Sequence, residues 1–278
     1  MTSGNENPRK RGNPGCANGC LGTLCILLLI LGVLLAAVTM YVEGVEDETK
    51  ARLQAIRDAG EPASLADLDA WIGPVADEDN AAIPLQRAID RLWQPGMPVA
   101  AIPFVSGVKA PKSTEPVPEG MKAAIAVYLE QEDESLGDLS EAAQRPYCRF
   151  PLNYAMGYAT DLSHLNSVRA LQQTLTVKAI YESASGKADE SFQTMLVGAR
   201  LSEAFRQEPF LYSQYTRMSM HSLFVISVEQ CLARTTHSSG QLKQIQDEIK
   251  QMNTGDCIYT GLLGERCLFL DAFASVGT

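Results

Sequence analysis

Apolar residues run from Leu21 to Val42 as LGTLCILLLILGVLLAAVTMYV, 22 positions without a charge. A helix of that length rises roughly 33 Å, enough to cross the hydrocarbon core of a bilayer. The apolar core of a cleaved signal peptide is shorter, about 7–15 residues, and a small-x-small cleavage site would follow it. No good site of that kind follows here, so the pattern predicts an uncleaved transmembrane helix over residues 21–42. Ahead of it, residues 1–20 mix Asn, Gly and Pro with charges and read as a disordered cytoplasmic tail.

Beyond the span the pattern becomes amphipathic. Residues 45–93 read as a membrane-proximal helical segment. Gly44 loosens the chain, then Glu46–Lys50 and Glu48–Arg52 stand at i,i+4 in a helix stopped by Gly60. A second helix carries Ala81, Leu85, Ala88, Ile89 and Leu92, entered through the acids Asp77–Asp79; Pro84 either kinks it or begins it. Residues 94–120 hold Pro95, Pro98, Pro103, Pro111, Pro116 and Pro118 and read as an extended linker.

Residues 121–276 read as a helical bundle domain. A helix around Glu119–Asp133 precedes an irregular crossing, RPYCRFPLNYAMG. Asp161–Ser185 then places Leu162, Leu165, Val168, Leu171, Leu175 and Ala179 at spacings of three and four. Gly186 turns the chain into a return helix, Lys187–Gln207, giving an antiparallel hairpin. Pro209 suits the first position of a third helix running to about Ala233. QLKQIQDEIKQM forms a fourth stripe, and Asp256 is expected to cap the last helix. Val-Thr-Tyr alternation is scarce, so the fold class is all-α: one N-terminal transmembrane helix followed by an α-helical hairpin bundle.

Two resemblances accompany these patterns. The hairpin around Gly186, with Ser191, Met195 and Ala199 at positions that favour small or apolar residues, loosely resembles one tetratricopeptide unit. No second 34-residue copy and no Trp–Leu–Gly opening accompany it. IRDAGEPASLADLDAW, DEDNAA, the Gly186 hairpin, QEPFLYSQYTR and GER at Gly264–Arg266 occur in that order behind an N-terminal anchor. Together they resemble an uncharacterised family of membrane-anchored helical proteins from planctomycete-type bacteria, across most of residues 50–275. That resemblance implies an architecture and a compartment, and no catalytic residues.

Charge narrows the partners. Outside the tail the chain carries 20 basic and 32 acidic residues and no basic stripe, which argues against nucleic acid and anionic lipid. Arg9, Lys10 and Arg11 precede the span, while Lys50, Arg52 and Arg57 follow it. A short basic tail before a first span favours export of the domain behind it, hence a single-pass cell-membrane protein with its N-terminus cytoplasmic. Gly32-x3-Ala36 would let two spans pack closely as a homodimer, or is a chance spacing of small residues. Four cysteines outside the span, Cys148, Cys231, Cys257 and Cys267, either pair in an oxidising compartment or serve as small buried hydrophobes.

Chemistry is sparse. No HExxH, paired CxxC, EF-hand loop or Gly-rich phosphate loop occurs, and no cofactor is implied. EPFLYSQYTRMSMHS, Glu208–Ser222, concentrates polar side chains, yet Leu211, Tyr215, Met218, Ser222 and Val225 share one helical stripe, as in an ordinary buried helix. Within it Tyr212, Gln214 and Arg217 are candidates for a buried polar network, while Glu208 favours the helix N-terminus. Of three histidines, His164 has Asp161 on its own helical face and Ser167 ahead. Strung along one helix, these three would converge poorly on a reacting atom. His164 and His221 are the pair to test for an enzyme. RPYCRF brings Arg145, Tyr147, Arg149 and Phe150 to a partner-facing surface, unless Tyr147 and Phe150 pin the crossing into the core. The resulting expectation is a membrane-anchored scaffold or protein-interaction module. An envelope hydrolase or a subunit of a membrane assembly stands as the alternative.

Overall fold

The computed structural model describes residues 15–92 and 99–276, and the described residues form helices, turns and one isolated bridge between Asn80 and Tyr147. The chain divides into two units, Met1–Ala59 and Gly60–Thr278. Among the described residues, the first holds one helix, α1, Gly15–Asp58, with 44 residues. It is long and apolar enough to cross a membrane, and its apolar window is exposed throughout. Most of the expected disordered tail lies outside the described residues; its last six, Gly15 to Cys20, are helical. Gly44 does not interrupt α1. A lone glycine costs only about 1 kcal/mol in a helix, and Glu48 holds Arg52 at 2.6 Å one turn on.

In the second unit, α2 (Leu65–Ile72) starts where the Ser64 hydroxyl accepts the Asp67 N–H, and ends at Gly73, whose φ of 71° suits glycine. A 3-10 turn at Asp77–Asp79 leads to α3 (Ala82–Arg91). Pro84 falls in the first turn of α3, where no intrahelical N–H is needed, so the helix runs past it. Next come α4 (Glu119–Gln131) and α5 (Asp133–Ala142), where the sequence pattern had suggested one helix; the break is at Glu132. A 3-10 stretch, Tyr154–Ala159, precedes α6 (His164–Ala184), α7 (Ala188–Ala204), α8 (Leu211–Leu232), α9 (Ser239–Gln251) and α10 (Thr254–Val276). Gly186, with φ of 74°, makes the α6–α7 turn. Pro209 sits outside α8, which begins two residues later. Ser238 and Gln241 form a reciprocal capping box on α9.

α6 is the central helix. Leu165, Val168, Leu171 and Leu175 pack with Leu85 and Ala88 of α3, Leu136 and Leu139 of α5, and Leu201, Phe205 and Met220. Its far end joins Phe192, Met195, Phe224, Val228 and Ile245. α10 covers the opposite end of α8, joining Leu65, Leu68, Tyr154 and Phe210 through Cys267 and Leu268. α2 and α3 thus belong to the same compact unit as the bundle and do not form a separate membrane-proximal segment. The described part of the proline-rich stretch is also stitched in. Ile102 and Val117 are buried, and Arg234, in the turn after α8, donates to the carbonyls of Lys112 and Glu115 at 3.0 Å each. The described part of this stretch holds one 3-10 turn, Val99–Ala101, and no α-helix before α4, but its spaced Val99, Ile102 and Val105 still bury apolar surface against α4.

Candidate functional site

Part of the polar set of Glu208–Ser222 meets at the α7–α8 junction. Gln214, Arg217 and His221 lie at i,i+3 and i,i+4 on one face of α8. That face turns toward Glu203, in the last turn of α7. The Glu203 carboxylate accepts Arg217 Nη2 at 2.6 Å and lies 2.7 Å from His221 Nε2. Arg217 Nη1 also donates to Gln214 Oε1 at 3.2 Å, and Gln214 Nε2 donates to the carbonyls of Phe205 and Glu208 at 2.9 and 2.7 Å. Arg217 is 0% exposed. Burial pushes the Glu203 carboxyl up, but the His221 hydrogen bond and the Arg217 charge outweigh it and hold it below the usual carboxylate range.

Beside this network, Glu208 accepts the Ser213 hydroxyl and lies 3.0 Å from His164 Nε2, and all three side chains are buried. His164 is stacked on Phe150 at 4.3 Å between ring centroids. Asp161, the acid expected beside His164, instead accepts the Ser163 N–H at 2.9 Å. The Ser213 hydroxyl donates to the carboxylate and not to the imidazole, so no base is poised on a nucleophile here. The arrangement fixes the loop between α7 and α8 and the register of α6 against α8. Glu203 and Glu208 escaped sequence reading as network acids. Their signal is position: an arginine and a histidine on one buried helix face call for hydrogen-bond acceptors, and these two acids stand at the junction just upstream.

The remaining candidates divide. Arg145 donates to the carbonyls of Asp77 and Asn80 at 2.6 and 3.0 Å, and Arg149 pairs with Asp69 at 2.7 Å and donates to the Gly73 carbonyl. Both clamp the α2–α3 connection. Asn80 completes the clamp, donating to the Arg149 carbonyl at 2.9 Å and accepting its N–H at 2.8 Å. Phe150 is in the core, whereas Tyr147 is half exposed. Tyr212 is also half exposed and donates to Asn166 at 3.1 Å. A cleft of about 460 Å³ brings Arg145 and Tyr147 together with Arg200, Glu203, Glu248 and Gln251. Burial, and then the Glu203 charge, pushes the Glu248 carboxyl up, partly offset by Arg200. Arg149 and Phe150 line a separate cleft beside α3. Cys148, Cys231, Cys257 and Cys267 are unpaired thiols, the last three buried.

Another buried acid, outside these networks, lacks a partner for one of its oxygens. Glu132, between α4 and α5, is 1% exposed, and its Oε2 has no hydrogen-bond partner. It borders a small cavity with Tyr128 and Thr174, which hydrogen-bond each other at 2.7 Å. Burial pushes its carboxyl up, against a smaller opposing bond from Ser135. With the folded value raised, its contribution is intact below the ordinary glutamate range and is lost as pH rises through the raised value. Glu132→Gln should therefore stabilise the domain at pH 8 by about 1–3 kcal/mol, with the gain fading at pH 4. Melting curves at the two pH values check this; parallel curves would contradict it.

Comparison with protein-family models, curated proteins and solved structures finds no match to this chain. The tetratricopeptide-like and planctomycete-type resemblances therefore rest on their motifs alone.

Proposed function

We propose that the chain is a membrane-anchored helical scaffold. α1 crosses the cell membrane with the N-terminus cytoplasmic, and the Gly60–Thr278 domain is exported to dock a protein partner at the membrane surface. The observation that carries this reading is how the domain spends its chemistry. Arg217, His221, His164, Glu203, Glu208 and Ser213 are each engaged in helix-to-helix or helix-to-loop contacts, while an apolar helix of membrane-crossing length precedes them. Docking needs only a rigid surface, and the cleft beside Tyr147 and Arg200 offers cations, acids and an aromatic ring on one.

The test is affinity purification of the tagged full chain from native membranes in mild detergent, beside residues 1–59 alone. A near-stoichiometric protein retained by the full chain and not by the anchor is the expected result. A full chain that emerges alone in both detergent and crosslinked samples would overturn the docking role.

A further inference from the structure

α10 has two faces of opposite use. Cys257, Leu263, Cys267 and Leu268 are buried, and Gly261 and Gly264 bring the helix against Leu211 and Pro209 at the start of α8. On another side Ile258, Leu262, Phe269 and Phe273 line up as a mostly apolar stripe, with exposures of 49%, 55%, 55% and 75%, broken by Glu265 between Leu262 and Phe269. Tyr158, 60% exposed, extends the stripe, its ring 6.1 Å from Phe269 in an edge contact. Core packing leaves these five side chains largely uncovered.

The occupant is indicated by where the chain enters the domain. Glu61 and Pro62 are held on α10: Tyr259 donates to Glu61 at 2.9 Å, and Arg266 donates to Glu61 and to the Pro62 carbonyl at 2.7 Å each. α1 ends at Asp58, three residues before Glu61. The apolar stripe is thus carried by the element that clasps the first residues of the domain.

A stripe one side chain wide exposes on the order of 400 Å² of apolar surface, about half of what each partner contributes to a standard protein interface. It suits an interfacial helix, which needs one apolar face with aromatic anchors and gains from a tether that keeps it near the bilayer. Asp256, Glu265 and Asp271 on the same helix, with an overall charge of −10, make an anionic headgroup layer a poor fit.

We propose that the Ile258–Phe273 stripe of α10, with Tyr158, lies in the interface of a zwitterionic bilayer. This rests on the reading of α1 as a membrane anchor. It leaves the Tyr147–Arg200 cleft for a protein.

The test uses the full chain in phosphatidylcholine nanodiscs, with Trp71→Phe and Trp93→Phe removing background emission and Phe273→Trp as the single indole. Bromine on the lipid acyl chains should quench that indole by about twofold or more. Val225→Trp, on an exposed part of α8 outside the stripe, should be unaffected. Unchanged emission from Phe273→Trp in disc-bound protein overturns the proposal while leaving the anchor intact. Crosslinking of two chains through Phe269→Cys, with no quenching, assigns the stripe to a second copy and also overturns it. Failure of the full chain to co-elute with the discs overturns the anchor reading itself.

Discussion

Arg217→Ala is expected to destabilise the Gly60–Thr278 domain by about 3–5 kcal/mol, the usual cost of removing one partner from a buried ion pair. Arg217 is fully buried, and its guanidinium joins Glu203 of α7 to Gln214, whose amide in turn holds the carbonyls of Phe205 and Glu208. Alanine leaves Glu203 with His221 alone and removes packing from the long side chain as well. The pair as a whole is worth less than the cost of breaking it, because Arg217 Nε has no partner. Arg217→Met combined with Glu203→Gln should therefore cost less than the sum of the two single changes. The acid limb gives a second readout. Glu203 is held below the ordinary range, so its contribution is present above the unfolded-state value and is lost as pH falls through the folded one. Denaturant titrations of the variants between pH 3 and 7 check both effects. A folded, undiminished Arg217→Ala protein that had lost partner binding would instead make Arg217 a contact residue.

Gly264→Ala is the second large effect, about 2–4 kcal/mol, at or above the upper end for overpacking because the obstacle is backbone. A Cβ at Gly264 would overlap the carbonyl group of Pro209, so α10 must move off the start of α8. Gly261→Ala should cost less, since its Cβ would meet Leu211 Cα and Cδ1 at 3.0 Å, a contact a small shift relieves. Gly137→Ala in α5 is the control. Its Cβ meets open space, and the gain in helix propensity should leave stability equal or up to about 1 kcal/mol higher. Thermal melts of the three variants should rank in that order; an unperturbed Gly264→Ala domain would contradict the close α8–α10 contact.

The long periodic elements were legible because burial on one face forces a 3.6-residue spacing. α6, α7 and α9 fall where their apolar stripes place them, and Gly186 marks the turn between the first two. The misses share a cause. α5, DESLGDLSEA, is too short for its Leu136 and Leu139 to stand out from acidic neighbours. Pro209 resembles a helix start, yet its place is set by α10 pressing on it, a contact between residues 55 positions apart in the chain. Asn80 and Arg149 act through partners about 70 residues away, a separation no local pattern reveals. At the polar cluster, helix periodicity groups Tyr212, Gln214 and Arg217 as network candidates; Gln214 and Arg217 are buried together, while Tyr212 is half exposed and bonds Asn166. Periodicity missed the acids, since Glu203 belongs to the preceding helix and Glu208 looked like a helix-terminus charge. The GER motif proved to be two structural devices: a glycine for close approach and an arginine that clasps residues 61–62.

As the proposed anchor, α1 is what would make the chain integral to a membrane, with the α10 stripe adding only a peripheral contact. Alkaline carbonate extraction of membranes from cells making the full chain, beside cells making residues 60–278, tests it most directly. The full chain should stay with the membrane pellet, and the shorter chain should appear folded in the soluble fraction. A full chain released by carbonate would contradict it.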